Sequence, residues 1–411
     1  MIRIYSHRTK HGWKSGHELA AIAPCVSQKG WITDHWIEFM QKLPDSDKYF
    51  VFENWREHIP ISEAGFYLCH HGWSTSILGR WDLLTMEPRV RDQINGGELT
   101  LLVVFVMEAF DTEMSISQWQ DRFCSDLTAV GITRNASVRV LLGTYTPYLL
   151  QHRDERVSWH YYPFFEAALL ADIKTNWQGE LPVPNVSDGT YRFHHMIKAT
   201  RPHRHLMAMM LEWRNLTPLG YCSWPASKKT YVDFEGEDHP YWNGIKYYAK
   251  LHQWMTGRRI LTHKYHDSDH TDNTWQGCAT IYGQSRLEII GETHHIIGDG
   301  IFITEKTFRA MFFGKPFVLY GCRDSLKFLQ KMGYETFSSV WPETYDALAC
   351  PMENLHTVFD LCSSLVKPKP GNADLLDDPL LTEIGRHNQK TFLDRKHSKN
   401  IAELLLTYVG S

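Results

Sequence analysis

Two segments in the second half of the chain place cationic side chains at the start of a predicted helix. In the first segment, Lys198 ends a predicted strand, and Thr200 can cap a helix that begins near Pro202. Arg201 and Arg204 lie one turn apart at the start of that helix. Because the helix dipole disfavours cations there, the pattern favours an anionic ligand over a solvated basic surface. Arginine binds phosphate through two parallel hydrogen bonds, so the segment predicts a diphosphate clamp.

The second segment joins a carboxylate at a strand end to a Glu-Lys pair at a helix start. Thr304 is a suitable N-cap, and Glu305 and Lys306 fall in the first turn of the predicted helix. Just upstream, the apolar residues 287–290 run into Glu292, which would place this carboxylate at the carboxyl edge of a sheet. Carboxylates can accept hydrogen bonds from ribose or base, and an ammonium group can meet phosphate. An isolated Glu-Lys pair, in contrast, is usually a solvated surface pair.

The elements that position these residues follow from apolar periodicity. Short apolar runs recur through the first half of the chain, at residues 49–52, 65–69, 99–107 and 138–142. Runs of this length are typical of buried parallel strands. Between these runs, residues 36–40 and 119–127 have the apolar spacing of helices. The alternation predicts an open α/β domain.

A proline-rich segment at residues 181–189 divides the chain, because its Pro, Asn, Asp and Gly residues all resist regular structure. The same alternation restarts beyond it, with strands at 191–198, 287–290 and 316–320 and helices at 202–213 and 305–313. The last segment has helical patterning, and we expect it to fold back toward the first domain. The predicted domains are residues 1–185, 190–377 and 378–411.

Length and composition predict a two-domain globular protein that remains in a reducing compartment. A chain of 411 residues exceeds one ordinary core. The net charge of -4 gives no global attraction to nucleic acid or anionic membranes. Eight cysteines without a C-x-x-C pair argue against a disulfide framework. The chain shows no export signal, and its longest apolar run is far shorter than the ~20 residues that span a bilayer. We therefore expect a cytoplasmic protein without a membrane partner.

The second half resembles a known family of sugar-transferring enzymes. The donor-site stretch of the α1,3-fucosyltransferases is similar to this chain at Tyr282, the strand into Glu292, residues 303–306 and residues 314–321. A group of bacteriophage and marine-virus glycosyltransferases resembles these residues still more closely. The similarity extends to residues 200–204 and 326–337, and it covers about half of the chain, mostly after residue 190.

The resemblance implies a GT-B fold, in which two Rossmann-like domains face a cleft and a C-terminal helix returns to the N-terminal domain. It also implies that the Glu and Lys of the Thr-Glu-Lys motif contact a nucleotide sugar. The predicted donor contacts are Lys198, Arg201, Arg204, Tyr282, Glu292, Thr304, Glu305 and Lys306. Thr293 stands where the fucosyltransferases have Asn, and Lys315-Pro316-Phe317 stands where they have Val-Pro-Val. We therefore favour a UDP-sugar over a GDP-sugar donor, and expect no obligatory cofactor.

The first domain would then supply the acceptor site and a general base. Inverting sugar transfer needs a carboxylate or histidine that takes the proton of the acceptor hydroxyl. Glu108 ends the most apolar predicted strand and is the first candidate, followed by Asp111. His70 closes another strand and is a third candidate, with His71 and Trp73 as acceptor contacts. Each of these residues can equally be a polar residue that closes a buried strand.

Metal-assisted transfer is not the expected mechanism. The chain has no D-x-D motif, and an Arg/Lys clamp can neutralise the leaving diphosphate without a metal ion. Residues 263–272 are rich in His and Asp, but their spacing does not match H-E-x-x-H or Cys/His frameworks. We interpret this segment as an exposed loop.

The viral resemblance favours a hydroxymethylated pyrimidine in phage DNA, such as 5-hydroxymethylcytosine, as the acceptor. Arg8, Lys10 and Trp13 combine cations with an aromatic ring, which suits backbone phosphates and a base flipped out of double-stranded DNA. Ordinary surface charge explains the same residues equally well. If the protein is viral, the compartment is the host cytoplasm.

Two other interpretations stay open at this point. One keeps the donor site but has a cell-surface glycan as acceptor, which the near-neutral charge suits equally well. The other is a non-catalytic nucleotide- or DNA-binding module, in which Glu108 and Asp111 are structural. The sequence leaves the oligomeric state open.

Overall fold

The computed structural model describes twelve stretches of the chain. They are residues 1–6, 40–54, 65–70, 81–84, 86–105, 116–151, 154–184, 189–197, 202–224, 266–267, 275–295 and 300–406. The chain forms two compact units. The first contains Met1–Thr175, Ile297–Gly300 and Lys396–Ser411, and the second contains Asn176–Ile296 and Ile301–Arg395.

Parallel strands build the sheet of the first unit. They are β1 (Ile2–Ser6), β2 (Phe50–Asn54), β3 (Gly65–His70), β4 (Leu99–Phe105), β5 (Val138–Leu142) and β6 (Val157–Tyr161). Their order across the sheet is β2-β1-β3-β4-β5-β6. Every residue of β5 is buried, as is every residue of β4 except the half-buried Thr100. A central parallel strand is covered on both faces, which explains why these strands read as continuous apolar runs.

Helices cover this sheet. Those described are α1 (Ser46–Tyr49), α2 (Trp81–Leu84), α3 (Pro88–Gly96), α4 (Ile116–Ala129), α5 (Pro147–Gln151) and α6 (Phe164–Asn176). The rings of Trp119 and Phe123 on α4 stack 5.4 Å apart, and Trp119 meets Phe105 of β4 edge-on at 4.9 Å. Both α4 rings also contact Trp159 of β6 at 5.5 Å. This aromatic cluster fixes α4 against the strands.

The second sheet is also parallel. Its strands are β7 (Phe193–Met196), β8 (Gly220–Trp224), β9 (His266–Asp267), β10 (Glu288–Gly291) and β11 (Phe317–Tyr320), in the order β11-β10-β7-β8-β9. The described helices that follow are α7 (Pro202–Trp213), α8 (Trp275–Gln284), α9 (Glu305–Phe312), α10 (Ser325–Lys331), α11 (Pro351–Val366), α12 (Leu380–Leu393) and α13 (His397–Leu406). Chain order reverses between β10 and β7, as it does in dinucleotide-binding sheets.

The two C-terminal helices belong to different units. Helix α12 packs on α9 within the second unit. A Cβ at Gly385 would lie only 2.3 Å from the carbonyl oxygen of Gly314, so this close approach requires glycine. Helix α13 belongs to the first unit, where Ile401 and Leu405 share a core with Ile2. The return of a C-terminal helix to the N-terminal unit is thus made by α13.

The α/β class with two Rossmann-like units is confirmed by these two parallel sheets. The sequence patterns did not identify β6 or β8, which mix polar and apolar residues. Residues 263–272 were expected to form a loop, but the described pair His266–Asp267 forms the edge strand β9. No helix in the described ranges is long and apolar enough to cross a membrane.

An ionic cluster ties the amino ends of the second sheet to the segment before α12. Arg192 donates to both carboxylate oxygens of Asp374, at 2.5 and 2.9 Å. Arg286 donates to Asp374 at 3.2 Å and also pairs with Asp377. The Arg192 hydrogen bonds lower the pKa of Asp374. This carboxylate therefore stabilises the fold at pH values above the unfolded pKa of about 4.

Substituting Asp374→Asn should lower the free energy of unfolding at pH 7 by about 1–2 kcal/mol, because the amide cannot accept from both arginines. The loss should shrink as the pH falls below about 4 toward the lowered pKa of Asp374, because protonation there removes the same charge from the unmodified protein. Urea unfolding at pH 7 and pH 3 measures both values. Asp360→Asn is the matched control, since Asp360 pairs with Arg214 but its side chain is 69% exposed. An equal loss in both variants would contradict the prediction.

Candidate functional site

A buried carboxylate organises the start of α9. Glu292 follows β10, is fully buried, and its backbone N–H donates to Tyr320 O at 2.9 Å. Its Oε1 accepts from the N–H of Thr304 at 3.0 Å and from the hydroxyl of Thr307 at 2.6 Å. Its Oε2 accepts from the Thr304 hydroxyl at 2.5 Å and from the N–H of Thr293 at 3.2 Å. Glu292 thus caps α9 from a neighbouring strand, at the positive end of the helix dipole.

Thr304 is the N-cap of α9, as its position in the sequence suggested, but its hydroxyl accepts no hydrogen bond from a backbone N–H of that helix. Instead it donates to Glu292 and accepts from Lys306 Nζ at 2.8 Å. Lys306 Nζ also donates to Thr293 Oγ1 at 3.1 Å and to Glu305 Oε1 at 3.2 Å. The ammonium group is therefore held in one place, and 17% of the Lys306 side chain remains exposed.

Arg204 joins the same group of residues from the first turn of α7. Its side chain is buried, and Nη2 makes a long hydrogen bond of 3.4 Å to Thr293 Oγ1. Because Thr293 Oγ1 accepts from both Arg204 and Lys306, two cationic groups from two helices converge on one oxygen. The sequence singled out Arg204 and Lys306 separately, and the structure brings them together.

Glu305 is the more accessible carboxylate of the site and is half-buried, with 36% of its side chain accessible. Burial opposes its ionisation, but the charges of Lys306 and Arg309 outweigh that effect and lower its pKa to about 2. Arg309 lies one helical turn below, where its Nη1 donates to Cys278 Sγ at 3.7 Å. Glu305 is therefore an ionised hydrogen-bond acceptor at neutral pH.

Two buried histidines line the site without adding charge. His203 bonds through Nε2 to the carbonyl oxygen of Glu292 at 2.8 Å, and its ring lies 4.4 Å from that of His295. Burial lowers the pKa of His203 well below its usual value and that of His295 to about 3. Both rings are neutral at pH 7. Among the described residues at this sheet edge, Lys306 and Arg204 thus carry the positive charge.

Tyr282 does not lie in this cluster. Its hydroxyl donates to Glu288 Oε2 at 2.6 Å, and its ring stacks on Phe313 at 4.2 Å. Glu288 is the first residue of β10, so Tyr282 lies toward the opposite end of that strand from Glu292. Its side chain is buried in the core.

Several predicted site residues lie outside the described part of the chain. They are Lys198, Arg201, Glu108, Asp111, His71, Trp73, Arg8, Lys10 and Trp13. His70 is placed only as the last residue of β3. Within the described ranges, no group of three or more His, Cys, Asp or Glu residues is arranged to hold a metal ion.

Sequence reasoning missed the roles of Thr293 and Thr307. Thr293 stood out as a departure from the fucosyltransferase pattern, and its hydroxyl is the acceptor shared by the two cations. Thr307 lies three residues after the N-cap Thr304, which is the spacing of a capping partner. The spacing was visible, but the carboxylate that it binds comes from another strand.

Comparison with known proteins finds distant similarity to solved structures. No family model and no curated protein matches the chain. A Staphylococcus aureus TarM complex with UDP, fondaparinux and alpha-GlcNAc-glycerol is 10% identical, with a TM-score of 0.42 over 84% of this chain. The match covers 55% of the TarM chain, so this protein spans about half of its length.

Two further structures cover nearly the whole chain. A putative UDP-N-acetylglucosamine 2-epimerase from Listeria monocytogenes is 13% identical, with a TM-score of 0.40 over 98% of this chain and 95% of its own. An alpha1,3-fucosyltransferase is 8% identical, with a TM-score of 0.35 over 96% of this chain and 90% of its own. Similarity this distant does not identify an activity, so the function has to follow from the site residues.

Substituting Glu292→Gln should lower the free energy of unfolding by about 2–3 kcal/mol. Each carboxylate oxygen accepts from a backbone N–H, so the amide NH₂ would face an N–H donor in either orientation. Urea unfolding measures the loss. Glu335→Gln is the control, because the Glu335 side chain is 54% exposed and should change stability little. Equal stability of E292Q and the unmodified protein would contradict the capping role.

Proposed function

We propose that the protein is a glycosyltransferase that takes a sugar from a nucleotide-sugar donor. The supporting observation is that Lys306 Nζ and Arg204 Nη2 both bond to Thr293 Oγ1, at the carboxyl edge of the second sheet. Transfer of the sugar leaves a diphosphate with growing negative charge. Two cations held close together before the reaction stabilise that charge at little cost in reorganisation.

The position of the cluster in the sheet supports a nucleotide ligand. Arg204 lies on the helix that follows β7, and Lys306 lies on the helix after β10. These two strands are neighbours at the point where chain order reverses. In open α/β sheets, ligands bind outside the carboxyl ends of the strands at this switch point. The sheet order and the cations thus indicate the same place.

Glu305 suits the ribose of the donor. Its pKa of about 2 keeps it ionised, and its partly exposed side chain can accept hydrogen bonds from vicinal hydroxyls. The buried Glu292, in contrast, accepts four hydrogen bonds from the protein. We therefore propose that Glu305 contacts the nucleotide-sugar donor, and that Glu292 positions the helix that carries Glu305 and Lys306.

The remaining features of the reaction are proposals carried from the sequence. The first unit would supply the acceptor site and a base, with Glu108 as first candidate and Asp111 or His70 as alternatives. We propose inverting, metal-independent transfer from a UDP-sugar. The preferred acceptor is hydroxymethylated pyrimidine in phage DNA, and a cell-surface glycan is the alternative.

Lys306→Ala should weaken binding of a nucleotide sugar by about 10- to 100-fold, the range expected for a charge-assisted hydrogen bond. Calorimetric titration with a panel of UDP- and GDP-sugars measures the dissociation constants and identifies the nucleotide. Lys327→Ala, on α10, is the control for loss of a surface lysine. Unchanged donor affinity in K306A, or no donor binding by the unmodified protein, would refute the donor site.

Glu108→Ala should abolish sugar transfer while sparing donor affinity, if this carboxylate is the general base. The assay incubates the protein with a bound donor and either hydroxymethylated DNA or a glycan, and reads the mass of the digested products. Turnover on DNA alone would select the pyrimidine acceptor, and turnover on glycan alone would select the alternative. Donor binding without turnover on any acceptor would favour a non-catalytic nucleotide-binding module.

A further inference from the structure

The ammonium group of Lys306 uses all three of its protons within the described part of the chain. An ammonium carries three N–H donors. Two of them go to threonine hydroxyls, those of Thr304 at 2.8 Å and Thr293 at 3.1 Å. The third goes to Glu305 Oε1 at 3.2 Å. A phosphate oxygen can therefore bond to this ammonium only if one of the three acceptors leaves.

Glu305 is the acceptor that can leave. Both threonines are held by Glu292, to which the Thr304 hydroxyl donates at 2.5 Å and the Thr293 N–H at 3.2 Å. The Glu305 side chain, in contrast, is half-buried. Side chains one position apart do not face each other on a helix, so α9 does not impose the contact between Glu305 and Lys306. A partly exposed ion pair contributes little to stability, so the carboxylate can turn away at small cost.

The Glu305 carboxylate also opposes the approach of a bare anion. Glu305 Oε1 lies 3.2 Å from Lys306 Nζ, and Glu292 Oε2 lies 3.9 Å from it. Two negative groups thus stand beside one ammonium, and four hydrogen bonds hold Glu292 in place. An incoming phosphate meets the charge of Glu305 at the position that it needs, and like charges this close repel each other.

We propose that Glu305 determines the specificity of the site, because it occupies the phosphate position on Lys306 and yields it to a nucleoside diphosphate more readily than to inorganic phosphate or pyrophosphate. A nucleotide brings ribose hydroxyls, to which the displaced carboxylate can turn and keep hydrogen bonds. Inorganic anions bring mainly acceptor oxygens, so the carboxylate is left beside a second negative group. The inference rests on the proposed donor site and adds a reason why inorganic phosphates do not block it.

Calorimetric titration of the full-length protein with inorganic pyrophosphate, UDP and GDP tests the proposal. The unmodified protein should bind one of the two nucleotides more tightly than pyrophosphate. Glu305→Gln keeps the size of the side chain and removes its charge, so pyrophosphate should bind about 3- to 10-fold more tightly, the range for one partly screened charge. The nucleotide should gain nothing, because the loss of repulsion is offset by a weaker contact with ribose.

The gain should depend on Lys306. In a Lys306→Ala background, E305Q should not tighten pyrophosphate binding, because no ammonium remains to be released. Glu353→Gln is the matched control, since Glu353 is an exposed carboxylate in the first turn of α11 in the same unit. It should leave pyrophosphate affinity unchanged, which separates the Glu305 contact from the effect of net charge.

The proposal is overturned if E305Q binds pyrophosphate no more tightly than the unmodified protein, if the nucleotide gains as much as pyrophosphate, or if the gain also appears in E353Q or in the K306A background. Tighter pyrophosphate binding by E305Q, with no nucleotide-sugar binding by the unmodified protein, would refute the transferase and leave the hold of Glu305 on Lys306 standing. Nucleotide-sugar binding without the pyrophosphate gain would refute the role of Glu305 and leave the transferase standing.

Discussion

The four hydrogen bonds to the buried Glu292 carboxylate are the interaction on which the proposed donor site depends. Three of them join the end of β10 to the start of α9, and so set where Glu305 and Lys306 stand. A buried carboxylate without these donors would be strongly destabilising. The start of α9 supplies three of the donors, namely the N–H and hydroxyl of Thr304 and the hydroxyl of Thr307, and the N–H of Thr293 is the fourth. The same carboxylate therefore stabilises the fold and fixes the positions of Glu305 and Lys306.

The two ends of the second sheet carry different kinds of side-chain contact. At the amino ends of its strands, Arg192 and Arg286 pair with Asp374, and Tyr282 bonds to Glu288. These groups satisfy one another, so they anchor the sheet. At the carboxyl ends, Arg204 and Lys306 point to one hydroxyl from two separate helices. A parallel sheet produces this division, since its helix N-termini all gather at the carboxyl edge.

The corresponding edges of the two units differ in charge. The second unit presents two cations and an ionised Glu305 around Thr293, which suits the phosphates and ribose of a nucleotide. At the described carboxyl edge of the first unit, the half-buried rings of Tyr145 and Tyr161 meet edge-on with centroids 5.8 Å apart. A substrate class has to be argued from side chains such as these, because the α/β architecture that the two units share does not specify one.

The sequence alone determined the α/β class, the buried run of β5, the helix over 202–213 and the N-cap at Thr304, because each depends on local periodicity or on one residue type at a helix start. Strands β6 and β8 were not predicted, because their polar residues interrupt the continuous apolar runs by which the other strands were recognised. The tertiary structure decided which polar residues meet. In the structure, Tyr282 lies in the core, where it bonds to Glu288. Glu292 caps a helix whose N-cap residue lies 12 positions later in the chain. The Thr293 hydroxyl accepts from both Arg204 and Lys306. Arg204 lies 89 positions from Thr293 in the sequence, and Lys306 lies 13 positions from it, yet both bond to the Thr293 hydroxyl oxygen. They meet because strands that are distant in sequence are neighbours in the sheet, and spacing along a chain does not contain that information.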